Sequence, residues 1–219
     1  MTPDYETAAL KAAETLIKHN VSTGPIVATP ILTSFSNVII LSYAEMAQKS
    51  DTDRHSAVNC FGVEHQDAVT LVQELNGKLC YIITYNQRLP FYVMQRALAR
   101  ELGHIVLGHD GSRPEDVRDT EAKVFARQFL CPRPMIRAVQ DAGVTITAEV
   151  LGSMTGCYDR CIDCLRDTPG AHVPAELNRL IREQFADYVS NFLDYYAIVA
   201  ASDKTAPVDF GTYMDNYVE

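Results

Sequence analysis

Between Pro90 and Gly108 the chain repeats apolar residues at helical spacing, and a carboxylate stands on that apolar stripe. Met94, Ala97, Leu98, Leu102 and Ile105 form the stripe. Pro90 suits the start of a helix and Gly108 its end. Glu101 comes four residues after Ala97 and four before Ile105, so it faces the same way. A carboxylate turned toward a core is costly unless something satisfies it, so Glu101 needs a partner or a chemical role.

The next helix repeats the problem. Ser112-Arg113-Pro114-Glu115 has capping-box spacing with proline in the first turn, and the helix it opens should run to about Leu130, stopped by Pro132 and Pro134. Glu121 on this helix precedes Ala122, Phe125, Ala126 and Phe129, which places it beside an apolar face. Two helices thus aim carboxylates inward, with His104 one turn from Glu101. Such convergence is typical of a metal or acid–base site.

Around these helices the pattern predicts a mainly helical α+β fold with a small antiparallel hairpin. Ala68–Glu74 and Leu79–Tyr85 are β-rich runs flanking Asn76-Gly77, a dipeptide that tolerates positive φ. Asn37–Leu41 reads as a buried strand followed by a short helix from Ser42, and residues 49–66 read as loop. A first helix is expected over residues 3–19 with Thr2 as its cap, and two short helices over residues 147–166. One long amphipathic helix is expected over about Pro174–Val199. His19 and His172 fall at segment ends and read as solvated. The residues after about 200 lack periodicity. Short connections should set the hairpin beside the Glu101 helix, where an exposed strand edge can pair with an extended peptide.

Composition narrows the function classes. With 19 basic against 28 acidic residues the net charge is −9, which argues against an extended nucleic-acid surface. No apolar run approaches the length of a membrane helix, and no export signal is apparent, so a cytoplasmic protein with reduced cysteines is expected. Cys157, Cys161 and Cys164 have the spacing of an iron–sulfur motif, but i, i+4, i+7 is also one helix face, the reading adopted here. A helix-turn-helix over residues 147–166 is disfavoured by Glu149, Asp159, Asp163 and Asp167.

Glu101-Leu102-Gly103-His104, followed by Glu121-Ala122-x-x-Phe125-Ala126-x-x-x-Leu130-x-Pro132, resembles the ImmA/IrrE family of zinc metallopeptidases. These carry H-E-x-x-H, usually H-E-L-G-H, and a downstream E-A-x-x-F-A-x-x-x-L-x-P helix. Glu183-Gln184-Phe185-Ala186-Asp187-Tyr188 extends the likeness toward residue 200. The resemblance implies zinc held by His104 and Glu121, Glu101 as general base on the metal-bound water, and regulated cleavage of a helix-turn-helix repressor. The domain organisation expected is a metallopeptidase-like domain over residues 1–140, a helical extension over 141–200 and an aperiodic tail over 201–219.

One position departs from the motif. The first zinc-ligand histidine is replaced by Arg100, whose guanidinium has no lone pair and repels a divalent cation. Arg100 is expected to point at the metal position and to pair with Glu121, Glu101 or both. The alternative function is therefore a catalytically inactive homologue that binds a repressor or other protein through the retained cleft. Replacement ligands have few sources. His55 and His65 lie in the loop, and His109, five residues from His104, shares its face only if the helix has already ended.

Overall fold

Gly77 has φ +73° with open space where a Cβ would stand, so the backbone conformation alone selects glycine there. The strands on either side of it organise one part of the chain. The computed structural model describes residues 1–49, 67–75, 77–110, 112–156 and 168–201. In chain order the elements are α1 (Tyr5–Lys18), α2 (Thr29–Ser34), β1 (Val38–Ser42), α3 (Tyr43–Lys49), β2 (Ala68–Leu75) and β3 (Lys78–Tyr85). Then follow α4 (Phe91–Val106), α5 (Glu115–Leu130), α6 (Arg133–Asp141), α7 (Ala148–Thr155), α8 (Ala175–Gln184) and α9 (Ala186–Ala201). The fold is α+β and mainly helical. The Asn76 half of the turn, the cysteine run, His55, His65 and the tail after 201 lie outside the described residues.

Two units divide the chain, one of Met1–Pro3 with Val27–Ala126, the other of Asp4–Ile26 with Arg127–Glu219. In the first unit the sheet order is β1-β3-β2. The hairpin is antiparallel, pairing Ala68 with Tyr85 and Leu75 with Lys78, while β1 joins β3 in parallel from Val38↔Tyr81 to Ser42↔Tyr85. The sheet is therefore mixed, with β3 at its centre and β2 at one edge. Tyr81 and Ile83 turn into the core and α4 packs against β2 and β3, the adjacency that the short β3–α4 connection predicts.

Helix α4 buries Ala97, Leu98, Ala99, Leu102 and Gly103. Its buried Gln95 accepts the Ala28 N–H at 3.1 Å, which satisfies a polar group on an otherwise apolar face. A Cβ on Gly103 would come within 3.0 Å of the Phe125 ring, so glycine at this position lets the Phe125 ring press against α4.

In the second unit α1 is capped by Asp4, whose Oδ1 accepts the Thr7 N–H at 2.9 Å. The helix thus begins two residues later than expected, and Asp4 takes the role assigned to Thr2. Pro134 lies in the first turn of α6, so the prolines that stop α5 also start its successor. Of the two short helices expected over residues 147–166, α7 runs through Gly152, with Thr147 as N-cap and left-handed Gly156 behind it, and residues 157–166 lie outside the described residues. The long C-terminal helix is instead two, divided at Phe185. Ile181, Phe185, Tyr188, Val189 and Phe192 are all buried across that division. The apolar stripe continues through the break, which is why periodicity reads it as one helix.

Replacing Gly103 with valine should force Phe125 and α4 apart and lower stability by about 1–3 kcal/mol. Urea unfolding followed by circular dichroism measures this, and an unchanged midpoint would show the contact to be slack.

Candidate active-site cleft

The path of the chain after α4 decides the geometry of the site. Leu107 closes the helix, Gly108 takes φ +66°, and two backbone bonds wrap the end: Gly108 N–H to the Ile105 carbonyl at 3.1 Å and His109 N–H to the His104 carbonyl at 3.0 Å. This is a Schellman motif, in which the residue after the left-handed glycine folds back beside the last full turn. The two positions that the motif brings together are both histidine. His109 Nδ1 lies 2.8 Å from His104 Nδ1, with the rings edge to face. The helix has ended, and so His109 does share the face of His104.

His109 then reaches onward. Its Nε2 is 3.0 Å from Glu121 Oε2. Arg113 donates Nη1–H to Glu121 Oε2 and sets Nη2 2.8 Å from Oε1, a two-pronged clamp on a side chain only 2% exposed. Because Glu121 accepts from Arg113, it serves as acceptor toward His109 Nε2–H. Neutral His109 then offers its Nδ1 lone pair to His104 Nδ1–H, which assigns the remaining lone pair to His104 Nε2. Burial holds both imidazoles below their ordinary pKa, His104 at about 4, with His109 and Arg100 adding to the effect on His104.

The other carboxylate has its own partners. Glu101 is 3% exposed; its Oε1 accepts from Arg100 Nε at 3.2 Å and Nη2 at 3.1 Å, and its Oε2 from the Thr70 hydroxyl at 2.7 Å. Burial raises the Glu101 pKa, and the Arg100 charge and the Thr70 bond oppose that rise. Arg100 Nη2 also donates to the Ala68 carbonyl at 3.1 Å, and Nη1 lies 3.6 Å from Asp119. Arg100 accordingly pairs with Glu101 and not with Glu121, whose cation is Arg113. Arg100, Glu101, His104 and His109 line a cleft of about 520 Å³ with Thr70, Val72, Tyr81 and Arg118 on its walls.

A family model described as the IrrE N-terminal-like domain, the M78 peptidases, matches residues 40–154. The chain belongs to this family. No curated protein and no solved structure matches it.

Within the M78 match lie Arg100, Glu101, His104, His109, Arg113 and Glu121. The family implies zinc, and the donors here are arranged otherwise. His109 uses one ring nitrogen toward His104 and the opposite one toward Glu121, so its imidazole stands between the two residues that the motif assigns as ligands. Arg113 adds a fixed positive charge on Glu121. No group of three His, Cys, Asp or Glu among the described residues converges on a single cation position. Among the described residues, His104, His109 and Glu121 are thus engaged with one another by hydrogen bonds. Arg113 and Thr70 carry no signature in the sequence. His109 is absent from the residues the motif assigns, and it reaches the site because the helix ends at Leu107 before it.

The low pKa of His104 has a sign that can be tested. Below the unfolded value of about 6.5 the unfolded chain takes up a proton that folded His104 refuses until about pH 4, so stability falls as pH drops through that window. Relative to His104→Gln, the native chain should lose at most about 1.4 kcal/mol per pH unit there. Comparing the two proteins cancels the opposite contribution of Glu101. Parallel pH profiles from chemical denaturation would contradict the assignment.

Proposed function

We propose that this M78 family member is a regulatory protein that holds an extended protein segment in the cleft, and that its histidine–glutamate site is locked rather than charged with zinc. The observation that carries this reading is the His109 ring between His104 and Glu121, with Arg113 closing the far side. A metal entering between them would have to displace an imidazole and overcome a guanidinium.

The binding edge is β2. Asp67 directs its carbonyl to the Asn86 N–H, toward β3, and the Ala68 carbonyl is directed away, to Arg100. By the alternation of a strand, the peptide groups of Thr70 and Val72 also face outward. No strand pairs with that edge among the described residues. Val72, 42% exposed, and Tyr81 give it an apolar patch beside Thr70 and Glu101. An incoming segment would add as a further strand. By family resemblance the partner is a helix-turn-helix repressor, recognised as protein and not through nucleic acid, and Glu101 and His104 are the remnants of general-base and metal-ligand positions.

Peptide display on the folded chain tests the edge. Selected peptides should lose at least about tenfold in affinity with Val72→Pro, which removes an outward N–H from an edge strand while sparing the ladder to β3. Metal content tests the lock. The protein purified without chelator should carry little zinc, and Arg100→His alone should leave it so, because His109 still occupies the gap. Arg100→His combined with His109→Ala should raise zinc affinity by about tenfold or more over the single variant. Stoichiometric zinc in the native chain, or zinc-dependent cleavage of the selected peptides, would replace this reading with that of an active peptidase.

A further inference from the structure

The second unit holds a cleft of about 550 Å³ that the family motif does not use. Four arginines line it, Arg133, Arg137, Arg179 and Arg182, and no lining residue is acidic. In a chain of net charge −9 this concentration of positive charge stands out. Two helices begin on its wall. Arg133 and Pro134 open α6, and Ala175 opens α8 just past Val173; neither helix start is capped by a side chain. The positive ends of both helix dipoles therefore add to the guanidinium charge.

The carboxylates nearby pair with two of these four arginines. Glu176 and Glu183 pair with Arg179, the first through two bonds, and Asp141 with Arg182 at 2.6 Å, all at exposed positions that a competing anion can reach. Arg137, one turn beyond Arg133 on α6, is exposed and forms no ion pair among the described residues. Planar guanidiniums that flank a helix start match the oxygens of a phosphoryl group in geometry and charge. The volume exceeds what a bare phosphate fills, and Pro134 and Val173 offer apolar wall for the remainder.

We infer that this cleft binds the phosphoryl group of a small phosphate ester. Arg133 and Arg137 grip the phosphate, while Arg179 and Arg182 supplement them by exchanging their surface carboxylates for the ligand. The inference concerns the second unit alone and stands whether or not the M78 site is locked.

Calorimetric titration of the full-length protein at an ionic strength of about 0.15 M, with adenosine monophosphate, inorganic phosphate and adenosine as probes, tests it. Adenosine monophosphate should bind saturably and adenosine should not. Arg137→Gln, at an exposed position that the fold does not need, should weaken binding about tenfold or more. Asp141→Asn releases Arg182 and should tighten it, a gain that no loss of folding can mimic. Equal affinity for inorganic phosphate would support the site and make free phosphate its ligand. Binding of adenosine as strong as that of the monophosphate, affinity unmoved by both variants, or no saturable binding of any probe would overturn the inference.

Discussion

Two carboxylates, Glu101 and Glu121, lie almost wholly out of solvent, and the architecture of the first unit is arranged around giving each of them donors. Leaving either without a donor would cost several kcal/mol, more than any single apolar contact nearby supplies. Glu101 draws on Arg100 of its own helix and on Thr70 of the edge strand, so the sheet and α4 are joined by polar bonds as well as by packing. Glu121 draws on His109 and Arg113, both from the segment between α4 and α5. The turn at Gly108 is therefore part of the electrostatics of the site, because it delivers the donor that Glu121 requires.

The same arrangement shows where the buried carboxylates and imidazoles of this M78 chain draw compensating charge and hydrogen bonds. In a metal centre the ion supplies the positive charge that buried carboxylates and clustered imidazoles need. Here two guanidiniums supply it from opposite sides, Arg100 on Glu101 and Arg113 on Glu121. The imidazoles, held neutral by burial, bridge the gap by hydrogen bonds.

Much of this was legible in residue pattern, and the rest failed for identifiable reasons. The carboxylate on the α4 stripe, the second on α5 and the hairpin around Gly77 each follow from a local period or a local turn chemistry, and the structure has them where spacing put them. The pairing of Arg100 with Glu101 was one of three options, with Glu121 or with both as the others, because a long arginine side chain on α4 could be directed to either carboxylate. That Arg113 takes Glu121 was not legible, since it depends on the course of a connection whose residues have no period. His109 was legible only conditionally, through the glycine that ends the helix. The division at Phe185 was invisible because its buried face is continuous, and Asp4 displaced Thr2 as cap because aspartate is the stronger N-cap of the two.

The mixed sheet carries a kinetic consequence. The β2–β3 hairpin closes over a turn of two residues, whereas Asn37, at the start of β1, meets Leu79 across a sequence separation of 42. Closing the longer loop costs more chain entropy and yields only five residue pairs. The hairpin is thus the template, and β1 docks onto a surface that already exists. Changes within β1 should act mainly on the rate at which this unit opens, and changes in the hairpin on the rate at which it forms.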